Sequence, residues 1–209
     1  MAAIAVLGWG SLIWKPDGLA VRSKWHTDGP CLPVEFARKS SGMRVTLVLV
    51  PGYEHLSRAY WAVSAFGDIG TAAHNLMERE KCTSLKPIHV ADAARWWSAG
   101  GGSGPRAEFG SEVSAWVAAR DDVDAAIWTG LQPKVFKPKS TRVPLADQVV
   151  GFLRSLSPGY EGDAREYVQK APASIDTPVR RAIEEELDWS RERLPSDLFE
   201  GMEPGSPCQ

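Results

Sequence analysis

Four apolar stretches lie within the first 66 residues, too close together for helical crossovers between them. They are residues 3–9, 32–38, 43–50 and 58–65. Ser40-Ser41-Gly42 and Pro51-Gly52 mark the turns between the later ones. A parallel pair needs a crossover of a dozen or more residues, usually a helix. The spacing therefore predicts antiparallel or barrel-like pairing rather than a doubly wound sheet. In the fourth stretch Ala59, Trp61 and Val63 share a face by the twofold period of a strand. Nine tryptophans, 19 glycines and 15 prolines point the same way, to tight turns and a Trp-rich interior rather than a helical bundle.

Helices follow. Residues 69–81 carry an apolar stripe through Ile69, Ala73 and Leu76, with Asp68 placed to cap the N-terminus. A short strand at 85–90, a helix near 92–98 and a loop at 100–105 come next. A strand at 113–119 and helices at 145–156 and 163–171 complete the middle of the chain, with Ser157-Pro158-Gly159 separating the last two. The last helix has the plainest signature. Thr177 caps it, Pro178 stands in its first turn, and Val179, Ala182, Ile183 and Leu187 form one stripe. Residues from 201 onward read as a disordered tail.

The charges nearly cancel, 24 Lys and Arg against 26 Asp and Glu, a net of −2. No field of one sign is available to recruit nucleic acid or an anionic membrane surface. The longest apolar run is far short of a membrane span, and no basic segment followed by a long apolar one suggests a cleaved leader. Three cysteines with no paired spacing, Cys31, Cys82 and Cys208, fit a reduced, cytoplasmic setting.

Several cofactor motifs fail. Gly8-Trp9-Gly10 after a strand begins like a dinucleotide fingerprint, but Ile13 stands at the third glycine position, and Pro16 and Gly18 interrupt the helix that should follow. The glycines at 100–104 lack the Lys-Ser/Thr ending of a phosphate loop. His26, His55, His74 and His89 are scattered, without metal-ligand spacing. No metal or cofactor is expected. The turn at 10–12 retains one possibility, since a Gly-x-Gly turn can aim backbone N–H groups at an anion.

Of the two acids closing the first helix, Glu80 is the informative one. Counting about 100° per residue from Ile69, Glu80 continues the apolar stripe while Glu78 falls on the opposite face. A carboxylate on a buried face at a helix C-terminus is pushed toward its neutral form by both burial and the dipole. That suits proton transfer near neutral pH. The plain alternative is a frayed helix end, with Glu80 pairing Arg79, Lys81 or Arg44 at the surface.

Two of these segments together resemble a known family. Gly8-Trp9-Gly10-Ser11-Leu12-Ile13-Trp14-Lys15-Pro16 is similar to the Gly-Tyr-Gly-Ser-Leu-Ile-Trp-x-Pro opening of the γ-glutamylcyclotransferase-like superfamily, especially its ChaC branch. Phe36, Arg38 and Ser40, then Arg44-Val45-Thr46-Leu47-Val48, resemble that branch's second and third strands. Trp61-Ala62-Val63 resembles its Trp-Gly-Val strand, Arg79-Glu80-Lys81 its Arg-Glu-x motif, and Gly162-x-x-x-Glu166-Tyr167 its late Gly-x-x-x-Glu-Tyr segment. The matches run in order over about residues 4–170. Trp9 replaces the family tyrosine, and Cys82-Thr83-Ser84 replaces its Gly-Gly-Tyr.

The resemblance implies an α+β fold, a small mixed β-barrel flanked by helices, over residues 1–170. A helical extension at 171–200 and the tail at 201–209 follow it. It implies release of 5-oxoproline from a small γ-glutamyl substrate by intramolecular attack of the α-amine on the γ-amide. Glu80 becomes the catalytic acid and base. Trp9, Gly10, Ser11, Leu12, Arg44 and Tyr167 become substrate-binding residues, with Trp14 and Trp61 as pocket walls. The alternative from a different class is a non-catalytic ligand-binding or interaction module on the same fold, which the departures at Trp9 and 82–84 favour.

Overall fold

The computed structural model describes residues 1–101, 107–134, 146–201 and 208. The first strand, β1 (Ile4–Gly8), is buried on both faces. Short strands β2 (Trp25–His26) and β3 (Cys31–Leu32) follow, then β4 (Val34–Lys39) and β5 (Val45–Leu49), which form a hairpin. β6 (Ser57–Arg58) and β7 (Tyr60–Val63) come next, then helix α1 (Ile69–Arg79). The second half holds β8 (Ile88–Asp92), β9 (Trp96–Ser98), α2 (Ala107–Ala118), β10 (Ala125–Thr129), α3 (Ala146–Arg154), α4 (Pro158–Gln169) and α5 (Pro178–Leu187). A 3-10 turn at Ser196–Leu198 leads into β11 (Phe199–Glu200).

Seven strands form one mixed sheet in the order β11-β2-β7-β1-β10-β8-β9. β1 pairs antiparallel with β7, Leu7 opposite Trp61, and parallel with β10, Val6 opposite Ile127. Successive side chains of a strand point to opposite faces, so β1 feeds two cores. Ala5 and Leu7 join Trp61, Trp128, Phe36 and the apolar faces of α2–α5. Ile4 and Val6 join Tyr60, Ile127 and the Ala72, Ala73, Leu76 face of α1. Each large side chain so buried contributes roughly 1.5–3 kcal/mol.

No closed barrel forms among the described residues, which corrects the barrel expectation. The sheet ends at β11 on one side and β9 on the other. The β4–β5 hairpin is a separate two-stranded sheet, tied to residue 134 through Lys39 N–H to Lys134 O and Lys134 N–H to Ala37 O. The place beside β1 that strand neighbours in sequence would fill is taken by β10, more than a hundred residues later.

Three local expectations are overturned. Residues 92–98 form no helix: Asp92 Oδ1 accepts from the amides of Ala94 and Arg95, closing a turn that folds β9 back on β8. All but the last of residues 113–119 belong to a helix, α2, with Phe109, Val113 and Val117 buried at intervals of four. The fourth helix begins at Pro158 rather than 163, because a proline at the first helical position loses no hydrogen bond.

The C-terminal segment is integrated with the rest. Val179 and Ile183 lie in the larger core beside β4 and α3. Glu35 of β4 is fully buried and accepts from Thr177 Oγ1 at 2.5 Å, Tyr53 Oη at 2.7 Å and the amides of Phe36 and Val179. Thr177 Oγ1 in turn accepts from the Arg180 amide, capping α5. The buried Arg180 guanidinium donates to the carbonyls of Val168, Ala171, Pro172 and Ile175 and to Glu184, holding the end of α4.

The cysteines also depart from expectation. Cys31 and Cys208, 177 residues apart, form a disulfide, leaving Cys82 as the free thiol. The pairing removes the cysteine-based argument for a reduced setting. Most of the expected loop at 100–105 and of the expected disordered tail lies outside the described residues. Among the described residues no helix is long and apolar enough to cross a membrane.

Candidate functional site

The turn after β1 begins the site. Ile13 N–H donates to Gly10 O at 3.0 Å and Lys15 N–H to Ser11 O at 2.9 Å. The amides of Gly10, Ser11 and Leu12 donate no hydrogen bond among the described residues. The three residues line a cavity of about 650 Å³. Trp9 is buried in the core at the base of this turn and leaves the cavity open.

Helix α1 carries Glu80 to the same cavity. Asp68 Oδ1 caps its start, accepting from Thr71 N–H. At the other end Glu80 N–H still reaches Leu76 O, Lys81 N–H reaches Glu78 O, and Cys82 N–H reaches Met77 O. The last two of these bonds make a Schellman motif, with Lys81 in the left-handed region at φ 54°. The helix is therefore intact at its last residue. The phase read from the sequence holds: the Glu80 side chain is 15% exposed, whereas Glu78 is exposed.

Glu80 Oε1 accepts from Arg79 Nη1 at 2.9 Å. Burial pushes the Glu80 carboxyl above its ordinary value, against the pull of the Arg79 and Arg38 charges. Its other oxygen, Oε2, accepts no hydrogen bond among the described residues. Cys82 also lines the cavity, its thiol pushed up by burial and by the Glu80 carboxylate.

The remaining walls come from distant segments. Tyr167 of α4 accepts from Leu47 N–H at 3.3 Å and packs edge-on against Trp14. Burial pushes its phenol up to about 12, so it stays protonated. From the hairpin, the Arg44 guanidinium lies 5.9 Å from the Tyr167 ring centre. Its Nε and the neighbouring Ser40 Oγ are buried and have no hydrogen-bond partner among the described residues. Arg38 donates to Gln132 O, and burial lowers its affinity for its proton.

The seven residues given catalytic or substrate-binding roles by the resemblance, Trp9, Gly10, Ser11, Leu12, Arg44, Glu80 and Tyr167, line one cavity, and so does the expected wall residue Trp14. Trp61 does not. It lies in the core, stacked on His26, with its N–H donated to Asp28. Sequence reasoning passed over Lys15, Asp17 and Asp163, which also line the cavity. Asp163 stands one helical turn before Tyr167, the signal that marks it as a neighbour. No group of three His, Cys, Asp or Glu side chains suited to a metal ion occurs among the described residues.

The cavity thus brings together a partly buried carboxylate, a turn whose amides donate no hydrogen bond among the described residues, and several cations. Such a place can hold an anionic group and move a proton beside it. The chain matches no family model, no curated protein and no solved structure.

Proposed function

We propose that the protein is a γ-glutamyl cyclotransferase, converting a small γ-glutamyl compound to 5-oxoproline and a free amine or amino acid. The observation that carries this reading is one cavity bounded by Glu80 and by the open amides of Gly10, Ser11 and Leu12. A γ-glutamyl amide contains its own nucleophile, the α-amine. Folding the glutamyl arm makes the attack intramolecular, worth roughly 7–11 kcal/mol of effective concentration.

Glu80 Oε2 takes a proton from the α-ammonium. The freed amine attacks the γ-carbonyl, forming the ring C–N bond, and charge develops on the carbonyl oxygen. The original amide C–N bond then breaks as Glu80 returns its proton to the departing nitrogen, and the ring nitrogen gives its remaining extra proton to the released amine, which leaves as an ammonium. The turn amides hold the substrate carboxylate or the developing oxyanion. Trp14 and Tyr167 wall the glutamyl arm. On this reading the domain is a divergent γ-glutamylcyclotransferase-like fold whose barrel has opened.

A second reading, a ligand-binding module, draws on Trp9, whose indole brings no hydroxyl to the cavity, and on the Arg79–Glu80 ion pair, which pulls Glu80 toward its charged form. A screen of γ-glutamyl amines, amino acids and peptides for 5-oxoproline release separates the two. Release that disappears in Glu80→Gln supports the enzyme. Saturable binding without release by the wild type supports the module.

A further inference from the structure

Arg79 bonds both to the segment after β1 and to Glu80. Its Nε donates to Pro16 O at 3.3 Å, and its Nη2 to Lys15 O at 2.8 Å and Ser11 Oγ at 3.0 Å. Its Nη1 donates to Glu80 Oε1 at 2.9 Å. The side chain is 10% exposed. Three bonds run to the turn and one to the carboxylate, so a single planar fork sets where these two lie relative to each other.

The contact with Ser11 has a chemical consequence. A serine hydroxyl has one proton and two lone pairs. By accepting from Arg79, Ser11 Oγ has one lone pair engaged and its proton left to donate. No acceptor for that proton exists among the described residues, and Ser11 lines the cavity. A hydroxyl that accepts a bond from a cation is also polarised into a better donor.

We propose that Arg79 is the positioning residue of this site: it turns the Ser11 hydroxyl into a hydrogen-bond donor for an anionic oxygen of the ligand and holds Glu80 beside it, so that the two act as a coupled pair. The inference rests on the cyclotransferase reading for the identity of the ligand. The coupling rests on Arg79's own four contacts. Glu80 also faces Arg38, Cys82 and Tyr167, which stay unchanged in the variants below.

The test measures 5-oxoproline binding by calorimetry in wild type, Ser11→Ala, Arg79→Lys and the double variant. Lysine keeps the charge but replaces the fork by a point donor. Each single variant weakens binding by about tenfold, the loss of a charge-assisted network bond. The double variant weakens it no further than either single one, because each removes the same arrangement. Independent, multiplying losses overturn the inference. A second arm follows the Glu80 carboxyl by carbon NMR, assigned through Glu80→Gln. Its titration midpoint rises in Arg79→Met, where the facing cation is gone, and holds in Ser11→Ala. A midpoint unmoved in Arg79→Met overturns the inference without any ligand. A wild type that binds 5-oxoproline with coupled losses yet turns nothing over defeats the cyclotransferase reading and leaves Arg79's role standing.

Discussion

The hydroxyl of Tyr167 occupies the space that a side chain on Gly10 would need: a β-carbon there would stand 2.6 Å from that oxygen. Glycine at position 10 is therefore set by a helix more than 150 residues away, and its backbone φ is not what demands it. Gly10→Ala forces Tyr167 outward and breaks its bond from Leu47 N–H. We expect a loss of about 1–3 kcal/mol, as for an overpacked core, read as a lowered midpoint in urea. Adding Tyr167→Phe removes the clashing oxygen, so the double variant should be more stable than the sum of the single losses requires. A purely additive pair would mean that the close approach is relieved some other way.

Glu80 and Glu78 differ by two residues and by a half-turn of helix, and their glutamine variants should differ accordingly. Glu80→Gln keeps the shape and loses proton transfer, so 5-oxoproline release should fall by at least about a hundredfold. Glu78→Gln changes an exposed side chain, with an effect on stability within about 0.5 kcal/mol. Because burial raises the Glu80 carboxyl and the base must be ionised, activity should decline with acidification at a pH above the ordinary glutamate value of about 4.3. Glu80→Asp should displace that limb. An acid limb identical in both enzymes would assign it to another group.

Glu35 predicts an unusual pH dependence of stability. Burial raises its carboxyl despite four hydrogen bonds. A carboxyl with a higher proton affinity folded than unfolded makes the native state bind more protons, so its contribution to stability falls as pH rises from the ordinary carboxylate range through the raised folded value. Glu35→Gln should cost about 1–3 kcal/mol at pH 5, since its amide nitrogen takes the place of an oxygen that accepts from two donors, either Thr177 Oγ1 and Phe36 N–H or Tyr53 Oη and Val179 N–H. The gap to wild type should narrow toward pH 8. Denaturant midpoints at both pH values decide the matter, and a gap that widens instead would refute it.

The Cys31–Cys208 disulfide closes most of the chain. Its removal by Cys208→Ser should lower stability by about 2–4 kcal/mol. Intact-mass measurement after alkylation under native, non-reducing conditions should find one modifiable cysteine, Cys82. Two or three alkylated thiols would show the pair unformed.

How much of this was legible in the sequence depended on how local the cause was. The α1 cap at Asp68, the helical phase that separates Glu80 from Glu78, and the Thr177-Pro178 start of α5 are decided within a few residues, so periodicity and capping chemistry found them. The turn at 10–12 was legible as a strand ending in glycines. Misreadings arose where one short apolar run fits two periods. Val113 and Val117 pass for alternation until Phe109 is seen to complete a helical stripe, and Trp96-Trp97 pass for helix until Asp92 closes a hairpin turn.

The sequence by itself thus determined the helical phase of Glu80, the turn after β1 and the cap of α5, because side-chain type, periodicity and turn-forming glycines are local properties. Only the tertiary structure decided what those residues face. The parallel pairing of β1 with β10 opens the sheet that local spacing suggested would close. Arg79 reaches across 68 positions to Ser11, Tyr167 across 120 to Leu47, and Thr177 across 142 to Glu35. Contacts over such separations are bought with loop-closure entropy that only the whole core can offset, and no window of the sequence contains both partners.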